Sequence, residues 1–223
     1  MRRQLRDNSL ALVFGGLLLI VLAAQSLVGL AGYNQAARTD GLAEIDLWRY
    51  LTSSSFAVDV AENWQSEYLQ FTLYILLTVW LVQRGSSESK PPEQVGLGED
   101  SDEQIGDFVQ DGAPALVRRG GWWTTLYSYS LTAIMAVVFL VSWLAQAFTG
   151  RVAYNEERMR DLLDPLTLGE YVASPDFWGR TFQNWQSELL AVGSMAIFAV
   201  YLRQRGSPES KKVGAPHSET AQR

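Results

Sequence analysis

Polar and apolar positions are sharply segregated along this chain. Four apolar runs stand out, Leu10 to Ala31, Tyr68 to Val82, Leu126 to Phe148 and Leu189 to Leu202, and charged, glycine-containing stretches separate them. A helix that crosses about 30 Å of hydrocarbon needs about 20 residues at 1.5 Å each. The first and third runs reach that length alone. The second and fourth fall short and must borrow polar residues from a flank, which predicts four spans at about 10–31, 64–83, 126–148 and 185–204.

The second and fourth runs are flanked by the same words. Asn63-Trp64-Gln65-Ser66-Glu67 opens one, which closes on Gln83-Arg84-Gly85-Ser86 and Glu88-Ser89-Lys90; Asn184-Trp185-Gln186-Ser187-Glu188 opens the other, which closes on Gln204-Arg205-Gly206-Ser207 and Glu209-Ser210-Lys211. The offset of 121 residues holds without a gap from Ser9/Ser130 through Gln25/Gln146, Gly29/Gly150, Tyr33-Asn34/Tyr154-Asn155, Tyr50/Tyr171 and Phe56/Phe177 to Lys90/Lys211. Roughly a third of the aligned positions are identical, the mark of a duplicated unit. Residues 1–90 and 122–211 are therefore expected to be two-span repeats, joined by an acidic, disordered linker at 91–121 and followed by a disordered tail at 212–223. Two spans per repeat give both copies the same orientation, related by an axis along the membrane normal. The expected fold is an all-α membrane protein: four transmembrane helices as two parallel duplicated hairpins, with short external helices.

Charge adds an orientation. With both termini and the linker on the cytoplasmic side, 12 of the 18 basic residues lie inside and six outside, as the positive-inside rule requires. The net charge of −6 mainly reports the seven acids from Glu93 to Asp111, and no basic aromatic surface points to nucleic acid. Arg2, Arg3 and Arg6 precede the first run as a leader peptide's would. Its counterpart at Leu131 to Phe148 lies mid-chain, however, so the first run is expected to be a retained anchor. Ser174-Pro175-Asp176 is a helix start, with a capping serine and proline at the first helical position, and that helix is expected to reach Gly206. Asn155 to Asp164 reads as a separate amphipathic turn or two, ended by Pro165.

Few residues here carry chemistry. There is no cysteine, and the single histidine, His217, sits in a polar tail. That removes thiolate and histidine metal sites, cysteine nucleophiles and a Ser-His-Asp triad from the apolar region. No cofactor or metal is called for. The candidate polar site comprises Gln25, Asn63, Ser66 and Glu67, with Gln146, Asn184, Ser187 and Glu188. By helical rise, Gln25 and Glu67 lie at about one depth, roughly 22–24 Å above the inner helix ends, and the second copy repeats that level. Asn63, Ser66 and Glu67 share one helix face. An ionisable group in a span is a functional candidate by default; the alternatives are helix-to-helix bracing and partner binding. Arg84 and Arg205 are inner-face anchors that either snorkel to headgroups or bind anionic lipid.

The second copy, from Phe177-Trp178 through Phe182-Gln183-Asn184-Trp185-Gln186-Ser187-Glu188 to Arg203-Gln204-Arg205-Gly206-Ser207-Pro208-Glu209-Ser210-Lys211 and Val213-Gly214-Ala215-Pro216-His217, resembles a bacterial family of uncharacterised four-span membrane proteins. The resemblance covers nearly the whole chain. It implies residence in a bacterial inner membrane and carries over no catalytic residue. The expected role is a non-enzymatic structural or interaction subunit, with the lipid bilayer, a second copy or another membrane protein as partner. A small transporter or channel using the paired Glu and Gln residues is the alternative.

Overall fold

The computed structural model describes residues 2–220. Nine α-helices and no strand occur among the described residues. In order they are α1 (Arg2–Asp7), α2 (Ser9–Thr39), α3 (Leu47–Leu51), α4 (Ser54–Leu77), α5 (Ala115–Arg119), α6 (Trp122–Ser128), α7 (Ser130–Arg160), α8 (Leu168–Val172) and α9 (Pro175–Tyr201). The chain forms two compact units, Met1–Ala61 with Ala145–Ser174, and Glu62–Leu144 with Pro175–Arg223.

Two helices, α2 and α7, are long and apolar enough to cross a membrane, with mean hydropathies of 2.4 and 2.1 over their most apolar stretches. Only 6% and 17% of those stretches are buried, and most of their leucines, valines and isoleucines are exposed. At 31 residues each they run about 46 Å, well past the apolar runs that predicted them. The third run does not begin at Leu126 as one helix. Tyr129 interrupts it, leaving Leu126 to Ser128 in α6, and Ser130 restarts the ladder as α7. Nor is Asn155 to Arg160 a separate element, since it is the last stretch of α7.

In the first unit the ends of α2 and α7 are closed by one device. The Asn34 side chain donates to the Ile45 carbonyl and accepts from the Ile45 N–H, both at 2.9 Å. Asn155 does the same to Leu166, at 2.9 and 2.8 Å. The turn between is also shared: Leu42 N–H reaches Ala37 and Leu163 N–H reaches Arg158, each at 2.8 Å. It requires a left-handed residue, which is Gly41 (φ 69°) in one place and Leu162 (φ 61°) in the other. Asp46 and Thr167 then cap α3 and α8 through Arg49 N–H and Glu170 N–H. Tyr50 and Tyr171, on those short helices, are 2% and 0% exposed. A Cβ on Gly29 or Gly150 would run into the corresponding tyrosine hydroxyl, so the glycine is what admits the ring. Burial, with the Asp59 charge adding to it, pushes the Tyr50 hydroxyl above its ordinary pKa. Arg160 pairs with Asp40 at 3.1 Å within the same unit.

In the second unit α4 and α9 stop short of Gln83 and Gly206. The last helical bonds are Leu81 N–H to Leu77 and Leu202 N–H to Phe198, both 2.7 Å and at the same register. Beyond them the Gln-Arg-Gly-Ser-x-Glu-Ser-Lys words fold into matching loops. The Ser89 hydroxyl accepts from Gln83 N–H and the Ser210 hydroxyl from Gln204 N–H, each at 2.8 Å, across a glycine at φ 85°. Lys90 holds the Gly96 carbonyl (2.9 Å), and Lys211 holds those of Pro216, His217 and Glu219 (3.2, 3.1 and 2.8 Å). The linker and the described part of the tail, 212–220, both expected to be disordered, carry turns beside these ammonium groups, and 221–223 lie outside the described residues; single 3₁₀ turns at Pro92–Gln94 and Gly106–Phe108 and the short α5 punctuate the linker. Low apolar content excludes a core, but a lysine with three donors can organise a loop without one.

Three outcomes test this description. Gly29→Ala should cost about 1–3 kcal/mol of stability by overpacking, and adding Tyr50→Phe, which removes the obstructing hydroxyl, should restore much of it; thermal unfolding of the single and double variants reads this directly. At the turn, Gly41→Ala should lose about 1 kcal/mol, whereas Leu162→Gly should be tolerated or stabilising, because leucine already bears the left-handed penalty of about 1–2 kcal/mol. The third concerns Glu170, whose carboxylate accepts from the Thr167 N–H and hydroxyl, both at 2.8 Å, and is held below its ordinary range chiefly by that N–H. A depressed carboxyl stabilises above its unfolded pKa and loses the contribution as pH falls through the folded one. Wild type should exceed Glu170→Gln in stability at neutral pH, with the gap closing below about pH 4.5.

Candidate functional site

The polar word that opens the second half of α4 lies on a continuous helix, so its residues take fixed angular positions. Ser66 is buried and Glu67 exposed, and Asn63, also exposed, lends its carbonyl to the Ser66 hydroxyl at 2.9 Å. On α9 the same arrangement recurs: the Ser187 hydroxyl donates to the Asn184 carbonyl at 2.8 Å, and Glu188 is half-buried. Serine donating back to the i−3 carbonyl is a local way to satisfy a hydroxyl within a helix.

Within this unit the two words meet. The Ser66 hydroxyl also lies 3.4 Å from Glu188 Oε1, and Glu67 stands close enough for its charge to act on the Glu188 carboxylate. Gln65 is completely buried and its Oε1 accepts from the Trp185 indole N–H at 2.8 Å. Its Nε2 finds no hydrogen-bond partner among the described residues. Rings surround that indole, with Phe182, Trp143 and Phe139 centroids 5.8, 5.9 and 6.4 Å away. The gathering of carboxylates and hydroxyl can accept a cation or share a proton; it can equally hold two helices in register.

The glutamines at the same calculated depth belong to the first unit. Gln25 is half-buried on α2, and Gln146 is fully buried on α7. Arg84 and Arg205 are exposed on the loops after α4 and α9, and Arg205 lines a shallow cavity of about 540 Å³ there. Sequence reasoning missed Gln65. Its signal was present, since Gln65 and Gln186 occupy the same place in the two words, but only Gln65 is buried while Gln186 is exposed. It also missed Tyr74, whose hydroxyl donates to Glu88 Oε2 at 2.7 Å. No group of three or more His, Cys, Asp or Glu able to hold a metal occurs among the described residues.

Trp185→Phe should cost about 1–3 kcal/mol, the range for leaving a buried acceptor unsatisfied, since Gln65 Oε1 loses its donor in a fully buried place. Thermal unfolding would read the loss, and a neutral result would mean that water replaces the indole.

Against known proteins, residues 1–222 match the family described as a domain of unknown function, DUF6766, and the chain belongs to that family. No curated protein and no solved structure matches it.

Proposed function

We propose that this DUF6766 chain is a four-span integral protein of a bacterial inner membrane, built as two parallel duplicated hairpins with both termini in the cytoplasm, and that it works as a non-enzymatic structural or interaction subunit. Its partners on this reading are the bilayer itself and a second copy or another membrane protein, with no nucleic acid and no cofactor. The length and apolarity of α2 and α7 support two spans. For the other two, α4 and α9 offer 24 and 27 residues, about 36 and 40 Å, enough to cross although their polar first halves lower the hydropathy. The duplication is supported by bonds that recur at one offset, Asn34 with Asn155 and Ser89 with Ser210.

The observation that carries the structural role is how the recurring polar residues are spent. Asn34, Asn155, Ser66, Ser187, Ser89 and Ser210 all bond to the chain's own backbone: the asparagines and Ser89 and Ser210 close turns and loops, while Ser66 and Ser187 satisfy their hydroxyls inside a helix. Transport is the second reading, favoured by the approach of Glu67 and Glu188 around Ser66.

Reconstituted vesicles separate the two. A structural subunit passes no protons or sodium above empty vesicles, and Glu67→Gln, Glu188→Gln and Glu188→Leu all stay folded, since the Ser66 hydroxyl keeps the Asn63 carbonyl as its acceptor. Wild-type flux that disappears in both Gln variants would establish transport instead.

A further inference from the structure

We infer that the second unit holds a binding site for one phospholipid with an amine headgroup, a phosphatidylethanolamine, in the cleft between α4 and α9 beside the Gln-Arg-Gly-Ser loops. The site goes beyond the structural role and rests on the membrane reading. The cleft has a volume of about 240 Å³ and is walled by Leu73 and Leu77 of α4 and by Leu189, Val192 and Ala196 of α9. That is below the roughly 300–1,000 Å³ of pockets for drug-sized ligands and suits a flexible chain better than a ring system.

The duplication explains why the space is there. Val192 and Ala196 stand where the first copy carries Phe71 and Ile75, so the α9 wall has lost a ring and a branched side chain. The α4 wall keeps its bulk. Tyr74 stands where the second copy has Met195, and it supplies the hydroxyl that Met195 lacks. At the equivalent positions the other copy carries Phe71, Ile75 and Met195, two bulkier apolar side chains and no phenol.

At its polar end the cleft shares Tyr74, Thr78, Glu88 and Ser89 with a second cavity of about 320 Å³, which Lys90 and Glu209 also line. Glu88 is the one charged residue among those lining the apolar cleft, and it stands at the junction. Tyr74 donates to its Oε2 at 2.7 Å, and Ser87, which ties the two loops together through the Glu209 carbonyl at 2.8 Å, lies 3.4 Å from its Oε1. The chamber thus carries two carboxylates and one ammonium, a net negative balance. That balance favours a headgroup ending in a primary ammonium over an anionic one, while Lys90, which spends one donor on the Gly96 carbonyl, has two others for the phosphate. An acyl chain in the cleft and an ammonium against Glu88 use both cavities with one molecule.

The test is lipid retention. Full-length protein is reconstituted into vesicles of equal phosphatidylethanolamine and phosphatidylglycerol with matched chains, extracted in mild detergent, and weighed intact by native mass spectrometry. One phosphatidylethanolamine per chain is expected, preferred over phosphatidylglycerol by about tenfold. Val192→Phe, which restores the first copy's ring, should abolish retention. Glu88→Gln should leave the cleft open but remove the headgroup preference, because a charge-assisted bond becomes a neutral one. Equal retention of both lipids by wild type, or undiminished retention in Val192→Phe, would overturn the site while leaving the membrane reading standing. Failure of wild type to float with the vesicles at all would overturn both.

Discussion

A helix long enough to cross hydrocarbon ends with backbone groups that its own ladder cannot satisfy, and in lipid each such group left unpaired costs several kcal/mol. Past those ends the chain must turn back, and the rest of this structure depends on the side chains that hold it there. At the far ends of α2 and α7 a single asparagine side chain pairs with both the N–H and the carbonyl of a residue 11 positions on. It therefore closes the turn and fixes where the next short helix begins. At the ends of α4 and α9 a serine hydroxyl takes the free N–H and a lysine gathers the carbonyls of the following chain. Both devices need side chains of fixed length at fixed spacing, which accounts for the recurrence of these words while the apolar residues between them differ.

Between those fixed ends the two copies are filled differently. Tyr50 and Tyr171 occupy their glycine notches in the same way. Around Trp143, by contrast, the second copy assembles aromatic rings from α7 and α9, where the first keeps Phe56 and Trp64 but has Leu18, Leu22, Ala57 and Ala61 in place of Phe139, Trp143, Trp178 and Phe182. Val192 and Ala196 likewise open a cleft that Phe71 and Ile75 do not. A scaffold held by its ends tolerates such repacking, because the register is set by polar bonds and leaves the apolar filling free to change.

Much of this was legible in the sequence, for a physical reason. Apolar runs mark helices through their length, so α2 and α7 were readable; Ser174-Pro175-Asp176 marks a start through capping chemistry, and α9 begins at Pro175. What failed were the places where tertiary contacts decide. Asn155 to Arg160 looked like a separate amphipathic turn because its charges break the hydropathy pattern, yet the ladder continues through it. Tyr129 carries no breaker signal, and its interruption of the third run could not be read. Composition reports cores and says nothing of a lysine collecting carbonyls, so the turns beside Lys90 and Lys211 could not be read. For the candidate site, periodicity put Ser66 and Glu67 on one helix, and calculated depth matched glutamates with glutamines. The gathering of Ser66, Glu67 and Glu188 within one unit depends on which faces of α4 and α9 turn toward each other, and rise per residue holds no information on that.

The central claim, four spans with both termini inside, is tested most directly by labelling single cysteines. The chain contains no cysteine of its own, so each introduced thiol reports alone. Leu162, 94% exposed in the turn after α7, and Ser101, exposed in the linker, sit on opposite sides of the membrane in this account. In spheroplasts treated with a membrane-impermeant maleimide, Leu162→Cys should label at once and Ser101→Cys only after lysis. Labelling of Ser101→Cys in intact spheroplasts, or of both positions alike, would contradict it.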